Sequence, residues 1–159
     1  MASRQQLEVE ADGVDIETLW RALTKDRLEI FQKAAPGFLT EMKILEGDGF
    51  ALGSLLCISF GPGAPNQESL KARIVEFDER KHVLTFLGVG EGHMNLGFTH
   101  YLESLKLDDA GGGKTVVNAS ITYDLKENFD GSQLLDGFLK LLRHYLGSII
   151  SYLQQKHED

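Results

Sequence analysis

The last third of the chain constrains the fold most. Thr115-Val116-Val117-Asn118-Ala119-Ser120-Ile121-Thr122-Tyr123 alternates and is rich in β-branched residues, which is strand chemistry. After the turn-like residues 127–131 the apolar period changes. Leu134, Phe138, Leu141, Leu142, Tyr145, Ile149, Tyr152 and Leu153 recur at three- and four-residue spacing. Leu135, Leu139, Leu146 and Ile150 widen that stripe beyond what one neighbour would cover. The spacing predicts a helix over residues 132–155, roughly 36 Å long at ~1.5 Å per residue. A helix so long and so apolar needs an equally large surface to lie against.

The upstream sequence supplies one. Residues 5–11 alternate Leu7, Val9 and Ala11 with polar neighbours and read as a strand. Asp15 caps a first helix carrying Ile16, Leu19, Trp20 and Leu23, and residues 26–34 form a second with Leu28, Ile30 and Phe31. Strands are then expected over 39–46, 52–60, 69–78, 82–89, 96–107 and 114–125. Glu46-Gly47-Asp48-Gly49 reads as a tight turn, Asp78-Glu79-Arg80-Lys81 as a hairpin, and residues 108–113 as a mobile loop. These connections leave no room for crossover helices, so the strands pair antiparallel. The expected class is α+β: a seven-stranded curved antiparallel sheet around a long C-terminal helix, with two short helices, in one domain spanning residues 1–159.

Composition narrows the function. A net charge of −8 without a basic cluster argues against nucleic-acid binding. The lone Cys57 excludes an intrachain disulfide and a cysteine-rich zinc site, and no carboxylate–histidine set has metal-ligand spacing. No cofactor motif is present: the Gly47-Asp48-Gly49 loop lacks the Lys-Ser/Thr ending of a phosphate cradle and links strands. No leader segment or membrane span is apparent, so the expectation is a cytoplasmic protein with access to the nucleus.

Sheet and helix bury both apolar faces only if bulky side chains fill the gap between them. Several positions expected there are small: Cys57, Ala72, Gly88 and Ala119. Periodicity alone leaves two outcomes open, an interior filled by Phe86, Phe98, Phe138 and Tyr145, or a cavity. Strand parity assigns the inward residues as Leu70, Ala72 and Ile74; Leu84, Phe86 and Gly88; Phe98, His100 and Leu102; and Val117, Ala119, Ile121 and Tyr123. Phe138, Leu142, Tyr145 and Leu146 face them from the helix, Phe31 and Phe38 close one end, and His93 stands near the mouth. His100 is then a titratable ring on an apolar face, read as a core histidine, a ligand anchor or a base. Tyr101 and Glu103 take the opposite parity and face outward unless a bulge reverses the strand.

The element order, with Leu19-Trp20, the run Ile44-Leu45-Glu46-Gly47-Asp48-Gly49 to Gly53-Ser54-Leu55, Gly90-Glu91-Gly92 and the long last helix, resembles the Bet v 1 family of the START-like superfamily. That resemblance implies the helix-grip fold and an internal cavity for a small hydrophobic or amphipathic guest, with the inward residues as its contacts. Residues 78–86 also resemble the abscisic-acid receptors, which implies a hormone ligand and a protein phosphatase partner. The receptor gate Ser-Gly-Leu-Pro-Ala stands here as Phe60-Gly61-Pro62-Gly63-Ala64, and the latch His-Arg-Leu as His93-Met94-Asn95. Leu96-Gly97-Phe98-Thr99-His100-Tyr101-Leu102-Glu103-Ser104 is similar to the family's condensing enzymes, whose catalytic lysine lies on the following strand. Asn118 and Ser120 stand in that region here. The leading expectation is a binding protein; the rival is an enzyme with His100 or Glu103 as base.

Overall fold

The computed structural model describes residues 3–62, 69–90 and 97–158. Strand β1 (Ser3–Asp12) leads into two short helices, α1 (Ile16–Leu23) and α2 (Arg27–Ala34). Six strands follow: β2 (Leu39–Glu46), β3 (Leu55–Phe60), β4 (Leu70–Asp78), β5 (Val83–Val89), β6 (Phe98–Gly111) and β7 (Lys114–Leu125). Helix α3 (Ser132–Glu158) completes the order. The strands form one antiparallel sheet in the order β1-β7-β6-β5-β4-β3-β2, so the first strand closes against the last, with Ser3 opposite Tyr123.

Local chemistry places the elements where expected, with three differences. Asp15 caps α1 by accepting a bond from the Thr18 backbone N–H at 3.2 Å. Asp78 Oδ1 accepts from the backbone N–H of Arg80 and of Lys81, which shapes the β4–β5 hairpin. Strand β5 starts at Val83, one residue later than expected, because His82 turns back at φ +55. The connection after β2 is longer than a tight turn, since β3 begins at Leu55 rather than residue 52. Within it Gly47, at φ +87, passes so close to Ser54 that a Cβ would lie 2.9 Å from that residue's Cα. Residues 108–111, expected as loop, extend β6, leaving Gly112 and Gly113 to turn into β7.

The inner face of the sheet carries the core. Leu56, Ile74, Leu84, Leu105, Leu107, Val117 and Ile121 are fully buried there and face Leu142, Leu146 and Ile149 of α3. Backbone register keeps these layers in step: Phe86 lies opposite Ile74 on one side and Glu103 on the other. Helix α3 is tied at its far end by Gln154 Nε2, which donates to the Asp12 carbonyl at 2.8 Å. Among the described elements its backbone comes within 8 Å, Cα to Cα, of α1, α2 and β1 alone. Across the middle strands side chains must bridge the gap, and they do not fill it.

Candidate functional site

The unfilled part of that gap is a hollow of about 110 Å³ under α3. It is well beyond the roughly 10–15 Å³ that admits a single water. Aromatic contacts frame it. Phe31 stacks on Phe38 at 5.4 Å and meets Tyr145 at 5.0 Å, and Phe38 stands edge-on to Phe60 at 5.9 Å. On the other side Phe138 contacts both Phe98 and Tyr101 at 5.8 Å. Leu39, Met42, Ile58, Leu70, Ala72, Phe86, Gly88, Leu141 and Leu142 complete the apolar lining. Four polar side chains converge on this apolar space: Arg27, Tyr101, Glu103 and Tyr145.

Each polar group is there for a local reason. Arg27 opens α2 and shares its buried stripe with Ile30 and Phe31, three and four residues on. Its guanidinium carbon lies 5.1 Å from the Phe86 ring centroid, 5.8 Å from Phe50 and 5.9 Å from Tyr145. Arg27 Nη2 donates a long bond, 3.5 Å, to the Tyr145 hydroxyl. Tyr101 and Glu103 reach the interior because β6 shifts register against β7 between Phe98 and His100. Beyond that bulge Tyr101, Glu103 and Leu105 pair with Tyr123, Ile121 and Ala119 on the inner face.

Burial sets the proton affinities. It raises the Glu103 pKa, an effect that the positive charge of Arg27 partly offsets. Burial likewise pushes the Tyr145 hydroxyl far above its ordinary range, helped by Glu103 and opposed by Arg27. Tyr101 is raised well above its usual value by burial, then by the charge on Glu103. Both phenols are therefore neutral donors and acceptors, Arg27 is a fixed cation, and Glu103 is a carboxyl group with strengthened hold on its proton. Such a set can orient a polar end of a guest or exchange a proton with it.

Among the residues expected to contact a guest, Phe31, Phe38, Leu70, Ala72, Phe86, Gly88, Phe138, Leu142 and Tyr145 line the hollow. Leu84, Phe98, Ala119, Ile121 and Leu146 are buried in the core around it and are not part of its wall. Tyr123 takes the inward parity and stands edge-on to Phe98 at 6.3 Å, also outside the wall. Three assignments are corrected. His100 and Leu102 face the outer side of the sheet, because the bulge after Phe98 inverts the parity of the strand. Cys57 pairs with Lys71 on the outer side, and the bulkier Leu56, Ile58 and Phe60 take the inner face. His93 lies outside the described residues, as do 63–68 of the gate region and the latch residues Met94 and Asn95.

Arg27 was not singled out from the sequence, and its signal was a charge on the apolar stripe of a short helix. Among the described residues no group of three or more His, Cys, Asp or Glu side chains is placed to hold a metal ion. No helix among them is long and apolar enough to cross a membrane.

Residues 2–156 match the pathogenesis-related protein Bet v 1 family. The chain is 30% identical to norbelladine synthase of Narcissus pseudonarcissus over 123 residues, 77% of this chain and 73% of that protein. It is 27% identical to S-norcoclaurine synthase 2 of Papaver somniferum over 128 residues, 80% of this chain and only 54% of that protein. The crystal structure of Ara h 8.0201 superposes with a TM-score of 0.80 at 18% identity, covering 98% of this chain and 99% of that one. Norcoclaurine synthase from Thalictrum flavum, in complex with dopamine and hydroxybenzaldehyde, superposes with a TM-score of 0.72 at 17% identity, covering 100% and 90%.

Proposed function

The chain belongs to the pathogenesis-related Bet v 1 family, and from that premise we propose that it holds a small aromatic or amphipathic metabolite in the hollow beneath α3. The observation that carries this reading is the lining itself: a largely apolar wall on which four polar side chains converge. Burial of an aromatic guest at ~25 cal/mol per Å² supplies the affinity, and the polar groups orient it. The test is a titration with the fluorescent apolar dye 8-anilinonaphthalene-1-sulfonate, followed by competition with flavonoids and plant hormones. Saturable uptake at micromolar protein, reversed by a competitor, is expected. Absence of saturable uptake of the dye and of unlabelled guests by calorimetry would overturn the reading.

Catalysis in the same hollow is a second reading, favoured by Glu103 and Tyr101 side by side on its inner face and by the synthase names of the relatives. Glu103 would act as the acid–base group, since burial raises its proton affinity above that of an exposed carboxylate. Strand β7 turns Val117, Ala119, Ile121 and Tyr123 inward, so it presents no amine there and no lysine imine enters this scheme. The assay incubates the protein with dopamine and hydroxybenzaldehyde and follows product by chromatography. Turnover that Glu103→Gln abolishes, with dopamine binding retained, supports catalysis; no turnover by the unaltered protein removes this reading and leaves carriage standing.

A further inference from the structure

The chemical class of the guest can be read from Arg27, an inference that rests on the cavity-binding reading above. Arg27 is 5% exposed and lines the hollow. A guanidinium keeps its charge at any physiological pH and offers five N–H donors in one plane. Among the described residues it makes a single hydrogen bond, the 3.5 Å contact to the Tyr145 hydroxyl, and no carboxylate stands within 4 Å of it. Its Nε is buried with no hydrogen-bond partner among the described residues. The rings of Phe86, Phe50 and Tyr145 lie around the cation at 5.1–5.9 Å. Ring faces stabilise the charge but do not take up the row of donors along the edge of the guanidinium. Buried cations are ordinarily paired and hydrogen-bonded. Here the pairing is missing on a side chain that borders an empty space.

We propose that the guest is an acid: an aromatic or amphipathic molecule whose single carboxylate is gripped edge-on by Arg27 while its apolar body packs against Phe31, Phe138 and Leu142. Charge-assisted, two-pronged recognition of a carboxylate is what a planar guanidinium does best. The apolar lining and the size of the hollow, about 110 Å³, suit a body of one ring. Among the described residues Glu103 is the one other charged side chain in the lining, and it makes no ion pair with Arg27. Burial raises its hold on a proton, which weakens the repulsion it offers to an incoming carboxylate.

The experiment is calorimetric titration of the full chain near neutral pH with three matched compounds: phenylacetate, phenylacetamide and 2-phenylethanol. Phenylacetate is expected to bind at least roughly tenfold more tightly than the two neutral compounds. In Arg27→Met, which keeps the bulk of the stem and removes the charge and the fork, that preference is expected to vanish. Equal binding of all three compounds to the unaltered protein would overturn the acid assignment while leaving a cavity-binding protein. A preference that persists in Arg27→Met would overturn the role of Arg27. Failure of all three compounds and of the fluorescent dye to bind would remove the underlying reading instead. If Arg27→Met does not fold, Arg27→Lys serves, since an ammonium lacks the fork: a reduced preference supports the assignment and an unchanged one overturns it.

Discussion

Glu103 is half-buried on the apolar wall of the hollow, and that position ties stability to pH. Its ordinary value is near 4.5, and burial raises it in the folded protein. The folded state therefore keeps this proton to a higher pH than the unfolded chain does. The resulting stabilisation is complete below about pH 4.5 and is lost as pH rises through the folded-state value. Glu103→Gln has no such proton to lose, so its stability relative to the unaltered protein should climb with pH over that window. Urea unfolding at a series of pH values reads the difference, and a difference that falls with pH would contradict the assignment. The same position shows where single residues were illegible. Both Arg27 and Glu103 are charged, and charge ordinarily marks a solvated face; only their placement on apolar stripes hinted otherwise. Cys57 sits in the continuous apolar run Leu55-Leu56-Cys57-Ile58, where parity gives no signal and only packing decides the face.

Helix α3 was legible from its three- and four-residue period because that period is enforced along its whole length by one buried face. Strands β4 and β5 were equally legible, since alternation within each is unbroken where it meets the hollow, and so was β7, whose alternation is unbroken along its pairing with β1. Strand β6 was not. Its bulge inserts a step that the pattern Phe98-Thr99-His100-Tyr101 does not announce, and every residue beyond it changes face. The two glycines of α3 are a separate matter. A Cβ at Gly137 or at Gly147 would meet no atom within 4 Å, so neither glycine is required by a close neighbour. Gly137→Ala and Gly147→Ala should each raise unfolding free energy by about 0.5–1 kcal/mol, through helix propensity and a less flexible unfolded chain. Denaturant titration checks this; a loss of stability would mean that the helix needs its backbone freedom.

The hollow belongs to the assembly of sheet and helix, and filling it is the direct test of its role. Ala72 lies on its wall, and Ala72→Leu adds three carbons to space that is now empty. Uptake of the fluorescent dye should fall by roughly tenfold or more, because lost volume cannot be recovered by a wall already at native packing. The melting temperature should hold or rise, since the added methyl groups are buried at ~0.8 kcal/mol per carbon without a new cavity. Undiminished uptake would place the guest elsewhere. The sheet order has a further result for how the molecule comes into being. Strand β1 is made well before its hydrogen-bonding partner β7, with Gln6 pairing Ser120. During synthesis strand β1 therefore waits without its partner until β7 has emerged. Such long-range closure is slow, on the order of milliseconds to seconds, and a ribosome stalled before Lys114 leaves a nascent chain in which β1 lacks the strand it pairs with.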